Sequence, residues 1–202
     1  KDRTRTVREQ EGRKGYASGF AGLLGFINGL LPTNEVVGQA LRETVPMYPE
    51  LAVRELVANA LIHQDFSVSG AGPTVELFEG RVEITNPGEP LVETDRFLDS
   101  PPTSRNEELA SLMRRFGVCE ERGSGIDKVV AQVELFQLPP PLFEVPPGFT
   151  RVVLFAPRSL KRMDKEERVR ACYWHACLKY VQRDVVTNTS IRERFGLDEQ
   201  SR

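Results

Sequence analysis

Three polar side chains at four-residue spacing, Glu55, Asn59 and His63, interrupt a segment that is otherwise largely apolar from Leu51 to His63. On an α-helix that spacing gathers them into one arc about 80° wide. A helix that is apolar around most of its circumference is normally buried, and a buried carboxylate is costly unless something satisfies it. A ligand or a metal ion is one such partner. The ordinary alternative pairs Glu55 with Arg54 or another base and bonds Asn59 and His63 to nearby backbone. The chemistry open to the first reading is specific. A neutral amide oxygen suits Mg²⁺, which takes oxygen ligands and keeps several waters, and a carboxylate one turn away can reach a water in line with a terminal phosphate.

Other residues offer complementary chemistry. Arg122-Gly123-Ser124-Gly125-Ile126 opens a helical segment. Glycines there let backbone approach phosphates, and a helix start presents free N–H groups at a positive end. Asn86-Pro87-Gly88 closes a strand and reads equally well as a simple turn. Arg105 and Asn106 precede another helix, where arginine suits a γ-phosphate or a solvated helix entry. Cys172, His175 and Cys177 are close enough to suggest a metal, but three candidates on one helix without a fourth favour two buried cysteines and a helix histidine.

The elements that would position these residues follow from local pattern. A core helix is predicted over Ala17 to Leu31, ended by Pro32, and then a strand within Glu35 to Val45. The polar-bearing helix spans roughly Glu50 to Ile62 behind Pro49, whose absent N–H suits a helix start. Thr74-Val-Glu-Leu-Phe and Arg81-Val-Glu-Ile-Thr alternate in polarity about Glu79-Gly80, as a tight hairpin does. Ser104 and Glu107 stand at capping-box spacing ahead of a helix over Leu109 to Phe116, with Gly117 placed to end it. A helix over Ile126 to Phe136 starts from the glycine loop, Phe149 to Phe155 reads as a buried strand, and Pro157 to Met163 reads as a linker. From Lys165 an amphipathic helix follows, and Thr187 to Asp198 has the form of the helix and turn that precede a recognition helix beginning near Asp198.

Across 202 residues, 27 Lys and Arg stand against 29 Asp and Glu, so strong nonspecific attraction to nucleic acid through net charge is excluded. No apolar run is long enough for a bilayer span, and the charged segment Lys1 to Lys14 has no signal core behind it. Three cysteines argue against a disulfide framework and for a reducing, cytoplasmic setting.

In order, Glu55-Leu-Val-Ala-Asn59-Ala resembles the N-box of Bergerat-fold (GHKL) ATPases, the group of DNA gyrase B subunits, MutL proteins, heat-shock chaperones and histidine kinases. The resemblance implies that Asn59 binds the Mg²⁺ bridging the phosphates and that Glu55 orients and deprotonates the attacking water. It places Asn86 where the family carries the Asp that accepts from the adenine amine, and Pro90 where a second glycine is usual. Gly123, Ser124 and Gly125 correspond to the second glycine box, and Arg105 falls in the lid over the phosphates. More closely, the run REL-NAL-HQDF, FEGRVEITNPG, SRNEEL, FGVCEERGSGID and LPPPLFE, over about Ala17 to Phe155, is similar to the C-terminal region of proteins labelled RecG-related ATP-dependent DNA helicases or transcriptional regulators. No GxxxxGK[ST] loop supports the helicase label itself.

The resemblance implies an α/β two-layer sandwich, a mixed sheet with helices on one face, followed by a partial winged helix. The expected organisation is a leader over 1–16, a nucleotide-binding domain over 17–157 and an incomplete winged helix-turn-helix over 164–202. The chain then reads as a fragment whose upstream nucleic-acid-binding domain is absent. Expected cofactors are ATP and Mg²⁺. Expected partners are ATP or ADP and, through the complete winged helix and the upstream domain, DNA, with no membrane and with a homodimer left open. The expected function is an ATP-binding regulatory module. Its rival is a degenerate GHKL fold serving as a dimerisation scaffold without turnover. The cofactor-binding set is Asn59, His63, Asn86, Gly88, Arg105, Gly123, Ser124 and Gly125, with Glu55 catalytic.

Overall fold

The computed structural model describes residues 8–37, 42–119 and 124–197. Its elements run α1 (Tyr16–Asn28), β1 (Thr33–Val37), β2 (Arg42–Pro46), α2 (Glu50–His63), β3 (Thr74–Phe78), β4 (Arg81–Pro87), α3 (Glu107–Arg115), α4 (Gly125–Leu135), β5 (Leu142–Glu144), β6 (Phe149–Phe155), α5 (Lys165–Val181) and α6 (Asn188–Arg194), with 3₁₀ turns at Thr94–Arg96 and Leu160–Arg162. The segment expected as one strand, 35–45, is two strands paired antiparallel, with Thr33 opposite Pro46.

Four strands form the main sheet in the order β3-β4-β6-β5. Its pairings are antiparallel throughout, where a mixed sheet was expected. The β3–β4 hairpin closes through Glu79 and Gly80, the latter at φ 88°, a backbone conformation that favours glycine.

Strand parity assigns the faces. Val82 opposes Leu154, Ile84 opposes Val152 and Asn86 opposes Thr150. Since alternate residues share a face, one apolar stripe runs along β4 and β6 and turns polar at its end, at Asn86 and Thr150. Val82, Ile84 and Leu154 are buried in one core with Ala52, Val53, Leu56 and Val57 of α2 and Val129 and Val133 of α4. Helices therefore cover this face of the sheet, which gives the expected two-layer α+β sandwich. Fully burying each Val or Leu contributes about 1.5–3 kcal/mol, so this layer contact dominates the fold.

A smaller core of Leu98, Val130, Trp174 and Leu178 seats α5 on the back of α4. Phe97, Phe143 and Trp174 extend it as edge-to-face aromatic pairs. No helix among the described residues is long and apolar enough to cross a membrane. The expected recognition helix, from Asp198, lies outside the described residues.

Candidate nucleotide site

α2 reaches the site because its apolar positions are held between sheet and α4, while its polar arc faces the end of the sheet. Glu55 is 2% exposed, and its Oε1 takes a hydrogen bond from the Arg54 guanidinium. A second arm of Arg54 donates to the Gly117 carbonyl at 2.8 Å. The ordinary reading of Glu55, paired with its neighbour, is thus met even as the carboxylate faces a cavity.

That cavity, about 410 Å³, is lined by Glu55, Asn59 and His63 of α2, Ile84 and Asn86 of β4, and Ser124 and Gly125 at the start of α4, with Arg105 and Thr150 on its other walls. Its volume falls within the range of small-ligand sites. Its polar members include Glu55 and Asn59, while Phe97, Phe143, Leu91 and Val152 add apolar wall.

Gly125 sets the closest approach. A Cβ there would stand 3.3 Å from Glu55 Oε2 and 3.6 Å from Asn59 Nδ2. The start of α4 therefore lies directly on the two residues of α2, and glycine permits that packing. Ser124 is the N-cap residue of α4 and makes no side-chain cap bond. Gly123 and Arg122 lie outside the described residues.

Asn86, also in the wall, is buried, and its Nδ2 donates to the Pro87 carbonyl at 3.0 Å. Gly88 does not line the cavity. It sits at φ 99°, and a Cβ there would be 2.9 Å from Asp65 Cβ. Its N–H donates to the Gly148 carbonyl and its carbonyl accepts from Thr150 Oγ1 at 2.7 Å. Gly88 thus joins the end of β4 to the turn after α2.

Arg105 reaches the cavity wall, with Nη2 donating to the Glu89 carbonyl at 2.6 Å and Nη1 3.6 Å from Asp65 Oδ2. The Asp65 carboxyl is held below its ordinary range, first by bonds from Ser67 and then by Arg105. Burial, and secondarily the charge of Arg105, pushes the His63 imidazole below its usual value. Asn106, the residue after Arg105, does not line this cavity. Its Nδ2 donates to the Ile62 and Gln64 carbonyls at 2.7 and 2.8 Å, closing the C-terminus of α2.

Sequence reasoning missed Thr150, Val152, Phe143, Arg114 and Cys119, all in the cavity wall. FTRVVLF shows no alternation, so only the cross-strand register with Asn86 and Ile84 reveals which of its residues face inward. Burial raises the pKa of Cys119, and Arg114, Glu55 and Arg54 all act on it electrostatically.

Of the second candidate cluster, His175 is engaged at both ring nitrogens, by Glu134 at 2.9 Å and Ser190 at 3.0 Å. Cys172 is exposed and Cys177 half-buried, not the two buried cysteines expected. Among the described residues no three His, Cys, Asp or Glu side chains converge to hold a metal ion.

Part of the cavity wall falls in a segment that matches one sequence family. Residues 70–154 match the family described as "Putative ATP-dependent DNA helicase recG C-terminal". The RecG C-terminal match spans Asn86, Arg105, Ser124, Gly125 and Thr150, and gives this segment an ATP-related description; α2 precedes it. Among solved structures the chain resembles the crystal structure of the DIP2311 protein from Corynebacterium diphtheriae, with a TM-score of 0.61 and 23% identity over 91% of this chain. That likeness speaks to fold, and the chain spans 40% of the length of that protein. No curated protein matches.

Proposed function

We propose that the cavity binds ATP, with the triphosphate at the start of α4 and the base against the cavity wall beside Asn86. The observation that carries this reading is the convergence at Gly125, where the start of α4 comes so close to Glu55 and Asn59 that a Cβ would stand 3.3 Å from Glu55 Oε2 and 3.6 Å from Asn59 Nδ2. Free amides at a helix start favour phosphate oxygens. Asn59 fits Mg²⁺ by the chemistry of its donor, a neutral amide oxygen on the wall that triphosphate oxygens would share, the ion's remaining positions going to water. When bound, that ion supplies charge neutralisation at the phosphates. Glu55 holds a carboxylate oxygen towards the same place and is the group that takes the proton from an attacking water. Arg105 and His63 line the intervening wall, and Asn86 offers an amide oxygen to an amino-bearing base edge.

In this reading the nucleotide domain regulates a DNA-associated protein. What supports it is the RecG-related match together with α5 and α6, whose capped helix-turn-helix order resembles the opening of a winged helix. A rival reading, a scaffold without turnover, draws on the Arg54 bond to Glu55 and on Asn86 standing where an Asp is usual.

Thermal unfolding with nucleotide separates these readings. A ligand bound to the native state alone stabilises it by about 2.7 kcal/mol at a hundredfold excess over Kd, which for a chain of this size is a rise of about 5–10 °C in Tm. ATP with Mg²⁺ should produce such a rise, and Asn59→Ala should remove the part that depends on Mg²⁺. An unchanged Tm at millimolar nucleotide (about 5 mM) would sink ATP binding and leave the scaffold.

A further inference from the structure

Resting on the reading of Glu55 as the proton acceptor, we infer that Arg54 is a positioning residue that selects which oxygen of the Glu55 carboxylate faces the reacting water. The two oxygens of Glu55 have different surroundings. Oε1 is held by the Arg54 guanidinium. Oε2 is the atom nearest the position of a Cβ on Gly125, 3.3 Å away, at the start of α4 where the phosphates belong.

A glutamate χ3 is a broad, nearly two-fold torsion, so an unanchored carboxylate samples many orientations. Arg54 removes that freedom by a charge-assisted bond to one oxygen. It is itself anchored, since its other arm donates to the Gly117 carbonyl at 2.8 Å. Gly117 follows the C-terminus of α3 and stands at φ 67°. One guanidinium thereby fixes the carboxylate of α2 against the end of α3, just ahead of the segment that leads into the start of α4.

Arg54 does all this from outside the cavity. It is absent from the cavity wall, and its side chain is 30% exposed. It therefore acts through Glu55 and does not touch the nucleotide. Lysine cannot replace it fully, because an ammonium is a single point charge and lacks the planar fork that spans two acceptors. Arg114 of α3 and the Cys119 thiol line the cavity itself, whereas Arg54 bonds Oε1 from outside the cavity wall.

The test is steady-state ATP hydrolysis with Mg²⁺, alongside direct titration of nucleotide binding, for the full 202-residue chain and its Arg54→Ala and Arg54→Lys variants. Loss of orientation at a reacting group lowers turnover by about tenfold to a hundredfold. Arg54→Ala should therefore lose kcat in that range while Kd for Mg-ATP stays within about twofold. Arg54→Lys should recover part of kcat at unchanged Kd. If the alanine variant does not fold, the lysine variant carries the test alone, with kcat reduced and Kd retained.

Binding that weakens in step with kcat would make Arg54 a structural staple or a ligand contact and overturn the inference. Unchanged kcat would overturn it too. Binding of Mg-ATP without turnover by the unsubstituted chain would overturn it while leaving nucleotide binding intact; failure to bind at all would remove the proposed function beneath it.

Discussion

Each polar residue of α2 has its own electrostatic setting, and His63 is the one whose titration reports on the cavity. Its pKa is lowered first by burial and then by Arg105. The neutral ring is therefore favoured in the fold, and on acidification the unfolded chain takes up the proton first. The stability this gives is complete above the ordinary histidine value of about 6.5. It is lost as pH falls below that value towards the lowered one of the fold. The unsubstituted chain should lose more Tm between about pH 7.5 and about pH 5.5 than His63→Gln does, because glutamine has no proton to gain. Equal losses in the two proteins would mean that His63 is solvated and not enclosed beside Arg105. Gly88, expected at the ligand, lies outside the cavity lining and packs close to Asp65.

Elements were legible where one local pattern decided them. α2 declared itself by a polar arc on an apolar helix, the β3–β4 hairpin by alternation around Glu79-Gly80, and α5 by its amphipathic run. The start of α3 was not, because Ser104 and Glu107 have capping-box spacing and yet Asn106 is the N-cap residue. Ser104 Oγ accepts only from the Asn106 N–H, at 3.3 Å. The Asn106 side chain is spent on α2, on carbonyls 44 and 42 positions earlier, a partnership no local pattern encodes. Thr150 was hidden for a related reason, since its facing depends on register across strands. Asn106 is therefore a joint between elements. Asn106→Ala leaves two carbonyls at the end of α2 without their donor, at a cost of about 1–3 kcal/mol. Urea unfolding should show a lower midpoint with an unchanged m-value. Asn106→Asp, which turns a carboxylate towards carbonyl oxygens, should cost more. A midpoint shift worth less than about 0.5 kcal/mol for Asn106→Ala would show that water or Gln64 serves those carbonyls equally well.

At the scale of the molecule, α4 joins its two ends to different things. Its first residue, Gly125, lies on Glu55 and Asn59, and its last turn carries Glu134. Glu134 Oε2 meets His175 of α5 at 2.9 Å, and Oε1 lies 3.5 Å from Arg194 Nε of α6. Arg194, whose side chain is 1% exposed, also donates to the Leu138 carbonyl at 2.9 Å. Burial lowers the Arg194 pKa, and Glu134 works against that shift. One carboxylate thus latches both C-terminal helices to the main body, beside a small hydrophobic contact built on Leu98, Val130, Trp174 and Leu178. Removing one partner of a buried pair costs about 3–5 kcal/mol, because the remaining charge stays desolvated. Glu134→Gln keeps the shape of the side chain and removes its charge, so the cost falls on Arg194 and with it on the seat of α5 and α6. The main core does not depend on that contact, and loosening should therefore be local. Limited proteolysis should cut Glu134→Gln faster than the unsubstituted chain between Gln182 and Thr187, while the nucleotide-dependent rise in Tm of the larger core is retained. If both proteins instead resist cleavage equally and unfold in a single transition at the same temperature, then the apolar seat of Trp174 and Leu178 holds α5 without the latch, and Glu134 contributes nothing to the union of the two parts.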